Sequence, residues 1–375
     1  MHYLDNAATT PVLPEAAAEA ARVMCEEFGN PSSLHKLGIE ASHVLENSRK
    51  TVAGALGCTA EEITFTSCGT ESTNLSLRGA AHLNRHKKGR IITTAIEHAA
   101  TINTAKALEQ DGFTVVFLKP DATGHITSDA LSEALTEDTV LLSCQLVNNE
   151  IGTVQPVAEL GRRLKAACPK ALFHIDAVQG LFRVPLEPKK WSCDLMSVSG
   201  HKIGAPKGIG ALYMKKGLRL PPLMTGGGQE RGLRPGTEPM PNIAAFAKAC
   251  EMRQAGFADD LTQVRGLAVY LREQVVERLP YAAFNGESDI PHVQNFSVAG
   301  CKSEVMLRVL ESDEVYVSSG SACSKGKQSE VLRALGLGKD RTDTALRVSF
   351  APFNTEEDVD ALIAAIEKGA KMLRR

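Results

Sequence analysis

The sequence predicts an α/β fold in which a large domain, built on a mostly parallel sheet of seven strands, precedes a smaller α+β domain. From residue 60, short apolar segments alternate with helical segments of about 10–15 residues, the pattern of βαβ crossovers. The alternation stops near residue 255. The length of 375 residues exceeds the roughly 250–300 residues at which one hydrophobic core stops growing.

The strands of the predicted sheet follow two helical segments. These helices are expected over residues 14–27 and 34–56. The strands are expected over residues 62–67, 90–95, 113–118, 139–146, 171–177, 195–199 and 208–214, because each is short and rich in apolar or β-branched side chains. Helices are expected between the first five strands, over residues 70–85, 99–111, 128–135 and 156–167.

The second domain follows from a change of pattern after residue 255. A long amphipathic helix is expected over residues 259–279. Three strands are expected in "HVQNFSV", "VYVSS" and "ALRVSF", with helices over residues 303–311 and 355–372. We therefore assign residues 14–255 to the large domain, and residues 1–13 and 256–375 to the small one.

The composition is that of an ordinary globular protein and argues against several partners. Hydrophobic residues make up 43% of the chain, and the formal net charge is -2, so no basic surface for nucleic acid is expected. No apolar run approaches the ~20 residues of a membrane span. Because Met1 leads directly into "YLDNAATTP", without a signal or transit segment, a cytoplasmic location is expected.

The nine cysteines are scattered, and no two are separated by two residues. This spacing argues against a disulfide framework and against a zinc site, so no metal is predicted. Most of the thiols are expected to be small buried apolar groups in a reducing compartment.

Polar residues with catalytic potential lie just after several of the predicted strands. They are Gly69, Thr70, His98, Asn149, Asp176, Gln179, Ser199, His201 and Lys202. Ligands of doubly wound sheets bind at the carboxyl ends of the strands, so these residues are expected to share one site. Each also has an ordinary explanation when taken alone, such as a helix cap, a structural histidine or a solvated lysine.

Together these side chains fit pyridoxal 5′-phosphate. The helix start at Gly69 and Thr70 can bind a phosphate, and the amine of Lys202 can bond to the cofactor aldehyde. The carboxylate of Asp176 can keep the pyridine nitrogen protonated, while the imidazole of His98 can stack on the ring. A nicotinamide cofactor fits less well, because no G-x-G-x-x-G follows the first strand of the sheet.

The chain also resembles the NifS/IscS-like cysteine desulfurases, which are class V pyridoxal-phosphate enzymes of fold-type I. The resemblance rests on motifs in the order and spacing of that family: "YLDNAATTP", "FGNPSSLH", "TSCGTES", "VNNEIG", "HIDAVQ", "SVSGHKIGAPKGIGALY", "GGGQERGLRPGT", "SSGSACS" and "LRVSF". It spans nearly the whole chain and implies the fold and the cofactor of that family.

By position, the resemblance implies a role for each site residue. Lys202 would also move the substrate Cα proton, with help from His98, and Gln179 would contact the phenolic oxygen of the ring. Gly69, Thr70, Ser199 and His201 would hold the phosphate. Thr237 would reach the phosphate of the other subunit, which implies a homodimer. Arg347 would bind the substrate carboxylate, and Asn149 would contact both cofactor and substrate.

Cys323, in "SSGSACS", lies at the position of the family's nucleophile. The resemblance implies that its thiolate takes sulfur from L-cysteine, gives L-alanine and a persulfide, and passes the sulfur to an acceptor protein. Iron–sulfur cluster assembly and the thiolation of tRNA or a cofactor are the uses it implies. From composition alone, Cys323 would be an inert thiol on a turn, although Lys325 and Lys327 can help to lower its pKa.

Other functions remain open at this stage. A selenocysteine lyase or another class V enzyme, such as an aminotransferase, would use the same cofactor, and an aminotransferase would not need Cys323. A non-catalytic relative would tolerate the loss of Lys202, which this chain retains. The segment between Cys323 and "VLRALG" is shorter than in family members with a Ser-Leu-Glu-Pro-type stretch, which leaves the identity of the acceptor open.

Overall fold

The computed structural model describes residues 1–320 and 329–374. The chain begins with a two-residue strand and two helices. These are β1 (His2–Tyr3), α1 (Pro14–Cys25) and α2 (Lys36–Ala55). Both helices match the predicted segments, with ends that differ by a few residues.

A seven-stranded sheet forms the centre of the larger part of the chain. Its strands are β2 (Ile63–Thr66), β3 (Arg90–Thr94), β4 (Thr114–Leu118), β5 (Thr139–Gln145), β6 (Leu172–Asp176), β7 (Leu195–Ser199) and β8 (Gly210–Met214). Their spatial order is β2-β8-β7-β6-β5-β3-β4, and within this sheet only β8 runs antiparallel to its neighbours. The predicted mostly parallel sheet is thereby confirmed.

Four helices connect the first five strands. They are α3 (Gly69–Leu83), α4 (Ala99–Gln110), α5 (Ser128–Ala134) and α6 (Val157–Ala167). Strands β6 and β7 are buried along almost their whole length, as expected for parallel strands that are covered on both faces. Register pairs Gln145 with Asp176, and Asp176 with Ser197, so the strand ends that carry the candidate residues lie side by side.

The helix predicted over residues 259–279 is much longer, since α7 spans Met240–Arg278. The predicted start was wrong because the first part of α7 is buried without interruption from Ile243 to Ala247, which hides the helical periodicity of its sequence. This part packs against α1 and α2 and belongs to the core of the large sheet. The later part, from Val264 onward, belongs to a second core. The predicted domain boundary falls between these parts, within one helix, and stays a prediction.

The second core lies around a three-stranded antiparallel sheet. The elements of this region are β9 (Ala282–Phe284), β10 (Val293–Val298), α8 (Ser303–Ser312), β11 (Val315–Tyr316), α9 (Glu330–Ala334), α10 (Lys339–Thr342), β12 (Ala345–Ser349) and α11 (Glu356–Leu373). The sheet order is β12-β10-β9, and β1 pairs with β11. No helix in the two described ranges is both long and apolar enough to cross a membrane.

A buried ion pair joins α2 to the segment that follows β8. The guanidinium of Arg49 donates to both carboxylate oxygens of Glu230, at 2.7 and 2.8 Å, and their side chains are only 7% and 2% exposed. Glu230 also accepts from the backbone N–H of Phe65, at 2.9 Å. Glu230 and Arg231 both adopt positive φ angles, 46° and 57°, so this pairing holds a backbone conformation that non-glycine residues rarely adopt.

We predict that Glu230→Gln lowers the free energy of unfolding by about 3 kcal/mol, because it leaves the Arg49 guanidinium buried without its main counterion. Glu46 lies 3.6 Å from Arg49, but its side chain is 56% exposed and compensates only partly. Urea denaturation at one fixed protein concentration measures the change. The control is Glu311→Gln, in the exposed pair with Arg308, which should cost no more than about 1 kcal/mol. Equal losses in the free energy of unfolding for both variants would contradict a stabilising role of the buried Arg49–Glu230 pair.

Candidate active site

A cavity of about 270 Å³ lies at the carboxyl ends of β5, β6 and β7. The predicted site residues among those that line it are Gly69, Thr70, His98, Asn149, Asp176, Gln179, Ser199, His201, Lys202 and Arg347. The residues converge because parallel neighbouring strands end at the same edge of the sheet. Arg347 comes from a different element, β12, and reaches the cavity from the second core.

One predicted site residue does not line this cavity, and another lies outside the described residues. Thr237 is exposed and does not line the cavity, which leaves its predicted role toward another subunit as a prediction. Cys323 lies outside the described residues, as do Lys325 and Lys327.

One end of the cavity is suited to an anion. Helix α3 begins at Gly69 without a capping side chain, so the N–H groups of its first turn keep the capacity to bind a negative charge. The hydroxyl of Ser199 is buried beside this helix start and has no hydrogen-bond partner among the described residues. A Cβ atom at position 69 would lie 2.6 Å from Cγ2 of Val178, so only glycine fits here.

Lys202 lies on a single 3-10 turn, Gly200–Lys202, that follows β7. Its Nζ donates to the carbonyl oxygens of Ala7 and Ala8, at 2.6 and 2.8 Å. The same turn is fixed by Thr10, whose backbone N–H and hydroxyl both donate to the carbonyl of His201, at 3.0 Å each. The amine is therefore held at the cavity by the segment between β1 and α1.

Asp176 ends β6, where it is 7% exposed and accepts from the backbone N–H of Val178 at 3.0 Å. Burial raises the pKa of Asp176, and the nearby cationic groups oppose this rise. A protonated ring nitrogen placed against the carboxyl group would favour its ionised form.

His98 caps the N-terminus of α4. Its Nδ1 accepts from the backbone N–H of Ala100 at 3.1 Å, so a neutral ring carries its proton on Nε2. Burial lowers the pKa of His98, which favours this neutral form. The imidazole can therefore lie against a ligand ring and offer an N–H donor.

Asp5 is a site residue that sequence reasoning missed. The guanidinium of Arg347, only 1% exposed, donates from Nη2 to Asp5 Oδ1 at 2.7 Å and from Nη1 to the carbonyl of Asn149 at 3.0 Å. Nε of Arg347 is buried and has no partner within the described ranges, so the guanidinium can still bind a carboxylate. In the sequence, the acidic residue within "YLDNAATTP" was the feature that could have indicated Asp5 as a site residue.

Glu97 was also missed, although it precedes His98 in the sequence. It is buried beyond the end of β3, and Oε1 accepts from the backbone N–H of Gln145 and from the hydroxyl of Thr94, both at 2.8 Å. Burial, with the charge of Asp176 as a further cause, raises the pKa of Glu97 to about 8. The carboxyl group is therefore neutral in the folded protein at pH 7.

We predict that stability falls as pH rises from about 4.5 to about 8, because the folded state keeps a proton on Glu97 that the unfolded state has lost. One such proton gives a slope of about 1.4 kcal/mol per pH unit. Glu97→Gln keeps the acceptor oxygen and removes the titration, so its stability should lack this part of the slope. Urea denaturation of both proteins at several pH values measures how the free energy of unfolding depends on pH.

The control for this measurement is Glu304→Gln, at an exposed site on α8. It should follow the wild-type pH dependence. If Glu97→Gln followed it too, Glu97 would be ionised in the folded protein.

The chain is similar to known proteins over nearly its whole length. Residues 2–362 match the family described as aminotransferase class-V. The cysteine desulfurase IscS of Methanosarcina thermophila is 39% identical over 379 residues, which cover 99% of this chain and 92% of that protein. A solved NifS-like protein superposes with a TM-score of 0.94 at 36% identity, over 99% of both chains. A structure of SspA in complex with cysteine has a TM-score of 0.85 at 32% identity, over 95% of this chain and 100% of that one.

Proposed function

Because the chain belongs to the class V aminotransferases, a family of pyridoxal-phosphate enzymes, and within it to the cysteine desulfurases, we propose that it converts L-cysteine to L-alanine and leaves a persulfide on Cys323. The observation that carries the proposal is a cavity in which Lys202 and Asp176 lie beside the hydroxyl of Ser199, which has no hydrogen-bond partner within residues 1–320 and 329–374.

The residues that line the cavity fit pyridoxal phosphate. When bound, this cofactor supplies an aldehyde that binds the substrate amine and a ring that draws electrons from the Cα–H bond. Ser199, His201 and the first turn of α3 hold the phosphate, and the buried carboxyl group of Asp176 stabilises a proton on the ring nitrogen.

Lys202 moves the proton at Cα of the substrate. The carbonyls of Ala7 and Ala8 hold its Nζ at the cavity, which limits the reorganisation needed before it acts. His98, in its neutral form, lies at the same cavity with an N–H donor. These two side chains give the site a base and a neutral donor.

Arg347 binds the carboxylate of the substrate. Its planar guanidinium suits bidentate binding, and its pairing with Asp5 keeps that plane in one orientation. The SspA relative was solved in complex with cysteine, which supports an amino acid with a free carboxylate as the substrate class.

The segment that carries Cys323 is joined to the cavity at both of its described ends. Before it, Ser318 exchanges backbone hydrogen bonds with Arg347, at 2.7 and 3.2 Å. After it, the hydroxyl of Ser329 donates to Glu150 at 2.5 Å, directly beside Asn149 in sequence. Both described ends of the segment are thus attached beside Arg347 and Asn149, the proposed substrate-binding residues. This supports attack by Cys323 on the substrate sulfur.

In that step the thiolate of Cys323 attacks Sγ of the substrate. A sulfur–sulfur bond forms and the Cβ–S bond breaks, with its electron pair left on the carbon side. A proton then completes the methyl group of L-alanine. The outer sulfur of the persulfide is passed to an acceptor protein for iron–sulfur cluster assembly or for thiolation.

The active form is a homodimer. Thr237 is exposed and does not line the cavity of its own chain, which agrees with a role toward the phosphate of a second subunit. Large apolar side chains are exposed over a short stretch of the chain: Met24, Phe28, Leu34, Leu37 and Ile39. A contact with another copy would cover such a surface.

We predict that borohydride reduction fixes pyridoxal phosphate covalently to Lys202. Peptide mapping by mass spectrometry should place the label on Lys202 and not on Lys215, an exposed lysine at the end of β8. Lys202→Ala should lose the label and at least about 10³-fold of the rate, since the proton at Cα would have no base. Label on another lysine, or none, would rule out the proposed cofactor site.

We predict that Cys323→Ala releases neither sulfide nor alanine from L-cysteine in the presence of a reductant, whereas the wild type releases both in equal amounts. The variant should still bind the cofactor, because the residues that hold the ring and the phosphate are unchanged. Cys25→Ala, at an exposed cysteine, is the matched control and should keep wild-type turnover. Equal turnover in the Cys323→Ala variant would move the function to another class V reaction.

A further inference from the structure

Arg183 is a buried cation that the reaction described above does not use. It follows β6 and is 7% exposed, and its Nη1 donates a hydrogen bond to Oε1 of Gln179. No carboxylate within residues 1–320 and 329–374 forms an ion pair with it. A buried charge without a counterion is costly, so its presence calls for a compensating role.

The charged groups that face Arg183 are themselves cationic. Burial first, and then the charges of Arg347 and Arg253, lower the pKa of Arg183 to about 9, so it stays protonated at pH 7. Arg347 is matched by Asp5 and Arg253 by Asp260, the latter at 3.2 Å. The remaining neighbour, His292, is neutral, because burial and the two nearby guanidiniums lower its pKa to about 3.

Gln179 connects this cation to the cavity. Its Nε2 donates to the carbonyl of Ala7 at 2.9 Å, while its Oε1 accepts from Arg183. Rotating the amide by 180° would set Nε2 against the guanidinium and Oε1 against the carbonyl, so the amide has one orientation. Because an amide nitrogen carries two hydrogens, the second N–H of Gln179 remains for a ligand in the cavity that this residue lines.

The carbonyl of Ala7 accepts from both Gln179 and Lys202. One backbone oxygen therefore sets the positions of the amide and of the reactive amine. Arg183 fixes the other end of the same amide, so a change at Arg183 acts on the cavity through Gln179.

We propose that Arg183 is a positioning residue that, through Gln179, directs an N–H donor and a positive potential at the phenolic oxygen of bound pyridoxal phosphate. This inference rests on the proposed function, because it concerns the same cofactor. A positive potential favours the ionised oxygen and opposes the uptake of a proton by the ring system. Without it, the bound cofactor should take up a proton at higher pH.

The test is a pH titration of the visible absorption of the holoenzyme. Arg183→Met keeps the length of the side chain and removes the charge, whereas Arg183→Lys keeps the charge. We expect the midpoint for Arg183→Met to rise by roughly one pH unit, equivalent to about 1.4 kcal/mol, and that for Arg183→Lys to rise by less than half as much. The affinity of the apoprotein for pyridoxal phosphate should fall about tenfold in Arg183→Met.

A double-mutant cycle with Gln179→Ala separates action through the amide from action through space. If Arg183 acts through Gln179, the midpoint shift of Arg183→Met should largely disappear in the Gln179→Ala background. Full additivity of the two shifts would overturn the relay. Should Arg183→Met fail to fold, Gln179→Glu places a carboxylate against the unchanged Arg183, and its midpoint should rise as well.

A midpoint equal to that of the wild type, in a variant with wild-type circular dichroism, would overturn the inference and leave Arg183 a packing residue. In that case the titration of the wild type itself would still support the cofactor site. A wild-type protein that binds no pyridoxal phosphate at all would instead overturn both the inference and the proposed function.

Discussion

The carbonyl oxygen of Ala7 is the contact on which the geometry of the site depends. It accepts from Nζ of Lys202 at 2.6 Å and from Nε2 of Gln179 at 2.9 Å, two residues that follow different strands of the large sheet. The same short segment binds the second core, because Asp5 accepts from Arg347 and Asn6 donates to the carbonyl of Ser349. A backbone segment near the N-terminus thus holds together the parts of the site contributed by both cores.

Several titratable groups at or near the cavity are buried, and burial disfavours their charged forms. Burial raises the pKa of Asp176 and lowers that of His98, so in both groups it favours the neutral form. Arg183 carries a charge that no described carboxylate matches. The proposed cofactor would place a cationic ring nitrogen near Asp176 and an ionised phenolic oxygen near the amide of Gln179 that Arg183 holds. Buried groups of this kind lower the stability of the fold and prepare the site for binding.

The sequence was sufficient to predict those parts of the fold and the site that are determined by interactions between residues close in sequence. The periodic alternation of residues 60–214 reflects strand and helix periods, and the rule that ligands bind at strand ends brought Gly69, Asp176 and Lys202 together correctly. It was insufficient where burial hides periodicity, as in the first part of α7. It was also insufficient where partners are distant in sequence, because Asp5 and Arg347 are separated by 342 positions. Glu97 shows the same limit, since only its neighbours in space make its carboxyl group neutral.

Arg347 connects the two cores at the edge of the cavity. Its backbone pairs with Ser318, which precedes the segment that carries Cys323, while its side chain reaches Asp5 and the carbonyl of Asn149. One residue on β12 therefore joins three parts of the chain: the N-terminal segment that holds Lys202, the backbone at Asn149 and the backbone at Ser318. Because these contacts share one guanidinium and one strand, a shift of the second core relative to the large sheet would displace all three parts together.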